Sequence, residues 1–495
     1  MPIGRPYKIW LLLIAACIIS RLPELMSPNL LLDGDECVVA IMAKHIMTGK
    51  AFSAYFYGQS YGFSLVECLF IIPFYFLFGI TTLSVKLAML ALWATGVLFL
   101  YKTFLLINKG YSWLPLLLIL VFIWSPAWAV WSMKARGGYL TSFTLTSIAL
   151  TCLFRDKKSS FAWSGIGILC VVVYQSQPLW IPGLAPFLIY FLFRDKKILP
   201  LFAFILPIVL LSLFVSFYKH GMLEFGVIRA DYTLDDLSGR IMRIPAFLYN
   251  SLHGNYFFDQ IQKPNLFCAS LAIVFEVIIF LLIVAAVYNV ITQKKGTLVF
   301  NLSACSLLLT LSFTICAPGF QGRYLLPVTG YTLISLLLLL NSLNVKKKIL
   351  YTAGYVYIIM GVVALVTFYN FSFSPTREKA LKGALSYLTS NDVHYAYCYD
   401  NMFTWQVIFY SNEQVLCHEK RLPGRFPKYV WQVDSSYYSG AKAAFISQPG
   451  YPLSIAFPQS ATIDGYYIAI DPPKEIMKQK FPRQTKRPKF YYCSQ

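Results

Sequence analysis

Charged residues are scarce in this sequence. Only 13% of the 495 residues are Asp, Glu, Lys or Arg, whereas 57% are hydrophobic, and the mean hydropathy is +0.59. Soluble globular domains carry about 25% charged residues. The composition therefore excludes a soluble globular protein and predicts an integral membrane protein.

The sequence also lacks the motifs of nucleotide binding and of zinc coordination. It contains neither GxxxxGKS/T nor GxGxxG, and its eleven cysteines include no CxxC pair and no Cys/His spacing typical of zinc ligands. Cys398, Cys417 and Cys493 lie in the polar C-terminal region, where the spacing permits one disulfide without pairing its members. Because nucleotide-driven chemistry has no visible site, a transfer reaction would need an activated donor that already resides in the membrane.

Acidic residues are few beside basic ones, and the formal net charge is +20. In a soluble protein this excess would suggest a nucleic-acid partner. Here most basic residues lie in short clusters between apolar stretches, which is the positive-inside pattern of membrane proteins, so no nucleic-acid partner is expected. The clusters lie at 102/109, 155–158, 194–197, 294/295 and 346–348. Each cluster is predicted to face the cytoplasm.

Apolar runs of roughly 17 to 25 residues, the length that crosses a bilayer, predict eleven transmembrane helices. They lie near 8–25, 83–105, 112–131, 139–154, 161–177, 178–193, 198–218, 266–290, 297–317, 323–343 and 349–372. A twelfth apolar stretch, 64–79, is short and contains Glu67 and Pro73. If it crossed the membrane, the basic N-terminus and the later clusters would lie on opposite sides. It is therefore predicted to lie in the membrane interface.

With 64–79 in the interface and the basic clusters in the cytoplasm, the chain divides into two predicted domains. Residues 1–373 form a transmembrane domain, in which the loops 26–82 and 219–265 lie on the extracytoplasmic side. Residues 374–495 are mixed polar and form a small α/β domain on the same side. Within it the pattern predicts a helix at 377–391, a strand at 394–400, a helix at 402–412 and a strand at 413–418.

Three carboxylates, Asp33, Asp35 and Glu36, follow an apolar stretch and precede a short amphipathic segment. A carboxylate at a helix start just outside the membrane can accept a proton from a hydroxyl nucleophile. Helix capping is the plainer interpretation, but it accounts for one acid more easily than for three. Asp33-Gly34-Asp35 also has the spelling of a DxD metal motif, so a divalent metal stays open without being favoured.

Four basic residues, Lys86, Lys134, Arg136 and Arg323, fall on the extracytoplasmic side, against the positive-inside bias. Each alone could be a snorkelling anchor. Four together favour a site for a phosphate or pyrophosphate group, whose charge they would neutralise as it leaves. The nearby run "YFYGQSYG" supplies aromatic rings either for an interfacial belt or for stacking on a sugar or lipid, and the sequence leaves both open.

Several segments, in the order in which they occur along the chain, resemble sequences of the GT-C superfamily of polytopic glycosyltransferases. They are "LDGDECVVAIMAKHIMTGKAF", "FYGQSYGFSLVE" followed by a helix ending "LFG", Lys86, "RGGY", "QPLWIPGLAPFLIY" and "GRYLLPVTGYTLISLLLLL". Together they cover most of residues 1–343. Within the superfamily the chain looks like the bacterial relatives of protein O-mannosyltransferases and the lipid A aminoarabinose transferase.

The resemblance implies that a polyprenyl-phosphate sugar is the donor, that an acceptor hydroxyl or phosphate attacks its anomeric carbon, and that the lipid phosphate leaves. By position, Asp35 is the implied catalytic base, with Asp33 and Glu36 beside it, and Lys86 contacts the donor phosphate. The other implied donor contacts are Arg136, Arg323, Tyr139, Tyr57, Tyr61 and Glu67. The resemblance also implies a multi-pass protein of the bacterial cytoplasmic membrane, with the active site in the periplasm and in contact with membrane lipids.

The resemblance leaves the substrates open. Relatives in these two groups work without a metal, whereas oligosaccharyltransferases need one, so no cofactor is expected although a metal is not excluded. Cys37-Val38 replaces polar residues of the aminoarabinose transferase pattern, so neither the sugar nor the acceptor carries over. A translocator of lipid-linked sugars and a polysaccharide polymerase or ligase with lipid-pyrophosphate donors are the alternatives.

Overall fold

The computed structural model describes most of the chain. The described residues are 6–28, 30–108, 113–156, 158–194, 198–219, 234–252, 266–292, 298–317, 322–343, 345–369, 376–418, 420, 424–450, 457, 460–481 and 483. Most of the predicted 219–265 loop, the boundary between 373 and 374, Cys493 and the end of the chain lie outside them.

The described residues are predominantly helical. In chain order the α-helices are α1 (Pro6–Leu25), α2 (Gly34–Thr48), α3 (Leu65–Phe78), α4 (Thr82–Ile107), α5 (Trp113–Ile123), α6 (Tyr139–Leu153), α7 (Ser160–Ser176), α8 (Ile181–Arg194), α9 (Ile198–Lys219), α10 (Leu234–Met242), α11 (Ile244–Leu252), α12 (Leu266–Ile291), α13 (Leu298–Ile315), α14 (Leu326–Ser342), α15 (Lys347–Phe368), α16 (Thr376–Ser390), α17 (Asn401–Tyr410), α18 (Pro427–Tyr438) and α19 (Lys474–Lys480). Short 3₁₀ turns at Pro126–Trp128, Trp131–Met133, Pro178–Trp180 and Gly322–Leu325 join some of them.

Each of the eleven predicted transmembrane segments corresponds to a helix of the structure. Within the described residues, six of these helices are long and apolar enough to cross a membrane, namely α4, α9, α12, α13, α14 with its preceding turn, and α15. Helix α5 and the 3₁₀ turns after it form a seventh candidate span, which is bent by 55°. Helices α6, α7 and α8 are apolar but shorter. The chain is therefore a multi-pass helical membrane protein, as predicted.

Helix α3 lies within the apolar stretch 64–79, which is predicted to lie in the membrane interface. Its 14 residues extend for about 21 Å, which is short of the roughly 30 Å of a hydrocarbon core. The helix packs against α2, where the hydroxyl of Tyr75 donates to the carbonyl of Ala40 at 3.0 Å. Because α6 is only one residue longer, length alone does not decide the orientation of α3, and its interfacial placement stays a prediction.

The C-terminal region contains a five-stranded mixed sheet in the order β2-β1-β3-β5-β4. The strands are β1 (Tyr395–Tyr397), β2 (Leu416–His418), β3 (Ala443–Ser447), β4 (Ser460–Ile463) and β5 (Tyr466–Ile470). Strands β2, β1 and β3 are parallel, whereas β5 is antiparallel to both β3 and β4. With α16 to α19 around it, this sheet confirms the predicted α/β composition, and the four elements predicted between 377 and 418 are all present.

Helix α17 holds the C-terminal region against the start of α2. A β-carbon on Gly34 would lie 2.3 Å from the carbonyl oxygen of Met402, so the two backbones approach as closely as only glycine permits. The Nε2 atom of Gln406 donates to the carbonyl of Leu32 at 2.6 Å, and the amide of Leu32 donates to the hydroxyl of Tyr410 at 2.9 Å. These contacts fix the C-terminal region beside the acidic first turn of α2.

A second contact between the two regions lies at the other end of α2. Glu413 accepts salt bridges from Lys44 at 2.6 Å and from Lys50 at 2.5 Å, and the Nε2 atom of His45 lies 3.0 Å from the same carboxylate. The ring of His45 is fully buried. We call these four side chains the Glu413 cluster.

Candidate active site

The first turn of α2 gathers acids and bases from distant parts of the chain. Four carboxylates, Glu24, Asp33, Asp35 and Glu36, lie within salt-bridge distance of four cations, Lys86, Lys134, Arg136 and Arg425. All eight side chains are wholly or largely buried, which makes their mutual compensation necessary. Segments that are remote in the chain therefore meet at the first turn of α2.

Asp33 and Glu36 both cap the start of α2, whereas the sequence suggests capping for one acid only. The Oδ1 atom of Asp33 accepts the backbone amide of Glu36 at 2.9 Å, and the Oε2 atom of Glu36 accepts the amide of Asp33 at 3.1 Å. This reciprocal pair is a capping box at the start of α2. Capping therefore accounts for two of the three acids and leaves Asp35 for another role.

The charges of these two capping acids are set by burial and by their basic neighbours. Burial opposes ionisation of Asp33, but Lys134, whose Nζ lies 2.6 Å from the Oδ2 atom, and Arg136 outweigh it and hold the pKa of Asp33 below its ordinary value. Burial raises the pKa of Glu36 despite Lys86 and Lys134. Asp33 is thus the firmly charged member of the pair.

Lys86 lies between two buried carboxylates. Its Nζ atom is 2.9 Å from Oε1 of Glu36 and 3.2 Å from Oε1 of Glu24, and the residue is only 4% exposed. The other oxygen of Glu24 accepts a hydrogen bond from the hydroxyl of Tyr369 at 2.9 Å. The charge of Lys86 is therefore already balanced inside the protein, and a contact with a donor phosphate stays a prediction.

Asp35 has one guanidinium group on each carboxylate oxygen. The Nη2 atom of Arg136 lies 2.6 Å from Oδ2, and the Nη2 atom of Arg425 donates to Oδ1 at 2.9 Å. Arg425 also stacks on the ring of Phe56, with its Cζ atom 4.7 Å from the ring centroid. Gly58 adopts φ +71°, and a β-carbon there would lie 2.8 Å from the Cα atom of Arg425, so only glycine lets this loop approach the arginine.

A third arginine lies on the same side of the molecule. Arg323 forms a side-chain hydrogen bond with Tyr139, the first residue of α6. Tyr61 is half exposed and lies near Asp35, Arg425 and Arg323. Its partial burial raises the pKa of Tyr61. Arg323 is therefore connected to the Asp35 site through Tyr61. We call Arg136, Arg323 and Arg425 the arginine group.

Two other candidate residues have different surroundings. Tyr57 is fully buried, and its hydroxyl lies 2.8 Å from the Nδ1 atom of His45, so it belongs with the Glu413 cluster. Glu67 is also fully buried, and its Oε1 atom accepts the backbone amide of Gly138 at 2.9 Å. Glu67 therefore anchors the loop that carries Arg136. A contact of either side chain with a donor stays a prediction.

Sequence reasoning missed Arg425 and Glu24 altogether. Arg425 lies in "RLPGRFPK", 390 positions from Asp35, and no local pattern connects the two. Glu24 lies near the end of α1, where it reads as an ordinary residue at the rim of a span. A charged residue close to the end of an apolar helix is the only signal that could have drawn attention to it.

A divalent metal, which the resemblance to oligosaccharyltransferases kept open, does not fit these side chains. Each of the four carboxylates is already paired with a lysine or an arginine, so the group carries little net negative charge. Among the described residues, no group of three His, Cys, Asp or Glu side chains is arranged to hold a metal ion. We therefore derive no step that involves a metal.

Architecture and site together define the class: a multi-pass helical membrane protein whose acidic first loop meets a C-terminal α/β region. Comparison with solved structures gives the particular relatives. The chain is similar to ArnT from Cupriavidus metallidurans bound to undecaprenyl phosphate, with a TM-score of 0.55, 11% identity, and coverage of 95% of this chain and 99% of that one. The archaeal oligosaccharyltransferase from Archaeoglobus fulgidus follows, with a TM-score of 0.51, 10% identity, and coverage of 90% and 70%.

The sequence itself gives no match to a family model or to a curated protein. At 10 to 11% identity the structural similarity establishes the fold. The resemblance to these proteins, predicted from ordered short segments, is confirmed at the level of the fold.

Proposed function

We propose that this protein is a glycosyltransferase that moves a sugar from a polyprenyl-phosphate donor to an acceptor on the outer face of the bacterial cytoplasmic membrane. The observation that carries the proposal is the position of Asp35, an acid held between two guanidinium groups at the edge of the helical bundle. Support comes from a protein of the same fold that was solved with undecaprenyl phosphate bound.

In this proposal the arginine group binds the donor phosphate. Arginine matches phosphate geometry with two parallel hydrogen bonds and keeps its charge at any physiological pH. Arg136 and Arg425 each place an Nη2 atom on Asp35, so two guanidinium groups meet beside the carboxylate where the proposal puts the donor phosphate. As the bond between the anomeric carbon and the phosphate oxygen breaks, these cations stabilise the charge that develops on that oxygen.

Asp35 acts as the base toward the acceptor. A carboxylate has about four acceptor positions, and two are occupied by the arginines, so others can receive the proton of an acceptor hydroxyl. The acceptor oxygen forms the new bond to the anomeric carbon while its proton passes to Asp35 and the lipid phosphate leaves. Atoms and charges balance without a cofactor, and we propose that the reaction needs no metal.

The test is transfer by the full-length protein in proteoliposomes. The vesicles contain a labelled polyprenyl-phosphate sugar and an extract of envelope lipids and glycans, and the label on the acceptor and the free polyprenyl phosphate are both measured. Asp35→Asn is expected to reduce transfer at least about 100-fold, as for loss of a general base. EDTA is expected to leave the wild-type rate unchanged.

A matched control is Asp392→Asn. Asp392 is 86% exposed and has φ +58°, a conformation that Asn also adopts readily, so this variant is expected to retain full activity. Equal rates for Asp35→Asn and the wild-type protein would refute the proposal. Movement of intact donor across the vesicle membrane without transfer would instead establish the translocator, and a requirement for lipid-pyrophosphate donors would establish the polymerase or ligase.

A further inference from the structure

A cavity lies beside the start of α2. It has a volume of about 510 Å³ and opens between the first turn of α2 and the C-terminal region. Leu31, Asp33 and Gly34 line one wall, and residues from α16, α17 and the sheet loops line the other. Since Asp33 also pairs with Lys134 and Arg136, the cavity and the Asp35 site share a wall.

The polar groups of this cavity are fixed by contacts within the protein. Asp400 accepts the backbone amide of Met402 at 2.8 Å with Oδ1 and the Nε2 atom of Gln448 at 3.1 Å with Oδ2. Gln406 is held by its 2.6 Å hydrogen bond to the carbonyl of Leu32. The cavity therefore presents carboxylate and amide groups in set positions, which is the condition for selective recognition of a ligand.

Charge distinguishes this cavity from the Asp35 site. Among the described residues, its lining includes the carboxylates of Asp33, Asp400 and Asp464 and one cation, Arg377. Lys134 compensates Asp33, so the remaining lining carries two acids against one base. An anionic phosphate is disfavoured here, whereas the arginine group beside Asp35 favours it. The two neighbouring sites are thus suited to different parts of the substrates.

The lining also has an apolar component. Leu31 and Met402 contribute aliphatic surface, and the buried ring of Tyr466 stacks on Phe403 with 5.7 Å between centroids. A sugar combines hydroxyl groups, which both donate and accept hydrogen bonds, with C–H faces that pack on apolar and aromatic surface. Carboxylates and amides next to such surface match that combination. The volume also lies within the range of small-molecule sites.

We propose that this cavity binds an uncharged sugar unit of the acceptor. The inference rests on the proposed function, because it assigns to the acceptor the half of the active site that the donor phosphate does not fit. In this arrangement the bound sugar unit contacts both the first loop and the C-terminal region. The C-terminal region therefore selects the acceptor, and the reacting hydroxyl lies on a neighbouring part of the same acceptor molecule.

The experiment measures binding rather than transfer. Saturation-transfer NMR on the full-length protein in nanodiscs is carried out with a panel of methyl glycosides, and inorganic phosphate is added as a competitor. At least one glycoside is expected to bind, and phosphate is expected not to displace it. Gln448→Ala and Asp464→Asn are each expected to weaken that binding about fivefold, the effect of losing one hydrogen bond.

The control variants separate this inference from the proposed function. Asp464 has φ +50°, so Asp464→Asn and the control Asp392→Asn make the same change in the same backbone conformation, and only the first faces the cavity. Asp35→Asn is expected to lose transfer but to retain glycoside binding. The inference is overturned if no glycoside in the panel binds, if phosphate displaces it, or if Gln448→Ala and Asp464→Asn both bind as the wild type does.

Discussion

The Nη2 atom of Arg425 lies 2.9 Å from the Oδ1 atom of Asp35, although the two residues are 390 positions apart in the chain. Arg425 precedes α18 in the C-terminal region, and Asp35 lies in the first turn of α2. The C-terminal region therefore contributes a side chain to the candidate active site. It is more than an appended domain.

Arg425→Ala is expected to lower kcat by about 10- to 100-fold, because a hydrogen bond to a charged group contributes about 1.5–3 kcal/mol. Arg425→Lys should recover only part of this loss, since an ammonium group cannot replace the planar guanidinium. Arg483→Ala serves as control, because Arg483 is exposed and lies over the ring of Tyr438. Steady-state transfer rates and thermal unfolding of all three variants are compared. A full loss of activity that tracks a loss of folded protein would show a purely structural role.

Lys86→Met is expected to destabilise the protein by about 3–5 kcal/mol, because it removes the cation that lies between the buried carboxylates of Glu24 and Glu36. Adding Glu24→Gln and Glu36→Gln should restore part of that stability. Thermal unfolding followed by tryptophan fluorescence gives the comparison, with Lys382→Met as control for an exposed lysine. If Lys86→Met instead unfolds like the wild type and binds polyprenyl phosphate more weakly, the phosphate contact implied by the sequence is correct.

Lys86 and Arg425 also show how much of the structure could be predicted from the sequence. Apolar runs predicted the helices, because burial in lipid imposes their length and composition, and the acidic cluster marked the correct helix start. The exact partners escaped prediction. The sequence marks Lys86 as a basic residue on the extracytoplasmic side, but its carboxylates lie on other helices. Arg425 meets Asp35 where the C-terminal region docks on α2. Such pairings depend on tertiary packing, which leaves no periodic signal in a single sequence.

Docking of the C-terminal region on α2 is expected to weaken as the pH falls from 7 toward 5. Burial lowers the pKa of His45 below its ordinary 6.5 despite the hydrogen bond from its ring to Glu413. Burial opposes ionisation of Glu413, but His45, Lys44 and Lys50 outweigh it and lower the pKa of that carboxyl group. Both groups bind protons more readily when undocked. The stabilisation by His45 is lost as the pH falls below about 6.5, whereas that by Glu413 is lost only below about 4.5, so His45 accounts for the change between pH 7 and pH 5.

The measurement is the melting temperature as a function of pH, for the wild type and for His45→Gln. The variant should show a smaller decrease between pH 7 and pH 5, because its side chain does not titrate. His394→Gln, in which an exposed histidine is changed, should behave as the wild type does. Identical pH profiles for His45→Gln and the wild type would exclude His45 as the titrating group.

Cys398 and Cys417 are expected to form a disulfide in the native membrane. Their Sγ atoms lie 2.6 Å apart, and both residues are buried. When the bond forms, the two thiols pass two protons and two electrons to an oxidant. The proposed periplasmic location provides such an oxidant, whereas the cytoplasm keeps thiols reduced. Alkylation with and without reductant, followed by mass spectrometry, measures the state of the pair, and Cys398→Ser is the control. Reduced thiols in freshly isolated, alkylated membranes would contradict a periplasmic C-terminal region.

The most direct measurement is a cryo-electron microscopy structure of the Asp35→Asn protein with a polyprenyl-phosphate sugar bound. The account predicts phosphate density in contact with Arg136, Arg323 and Arg425, with the anomeric carbon beside residue 35 and the cavity lined by Asp400 free of phosphate. Phosphate density in that cavity, or on a face of the bundle remote from residue 35, would contradict it.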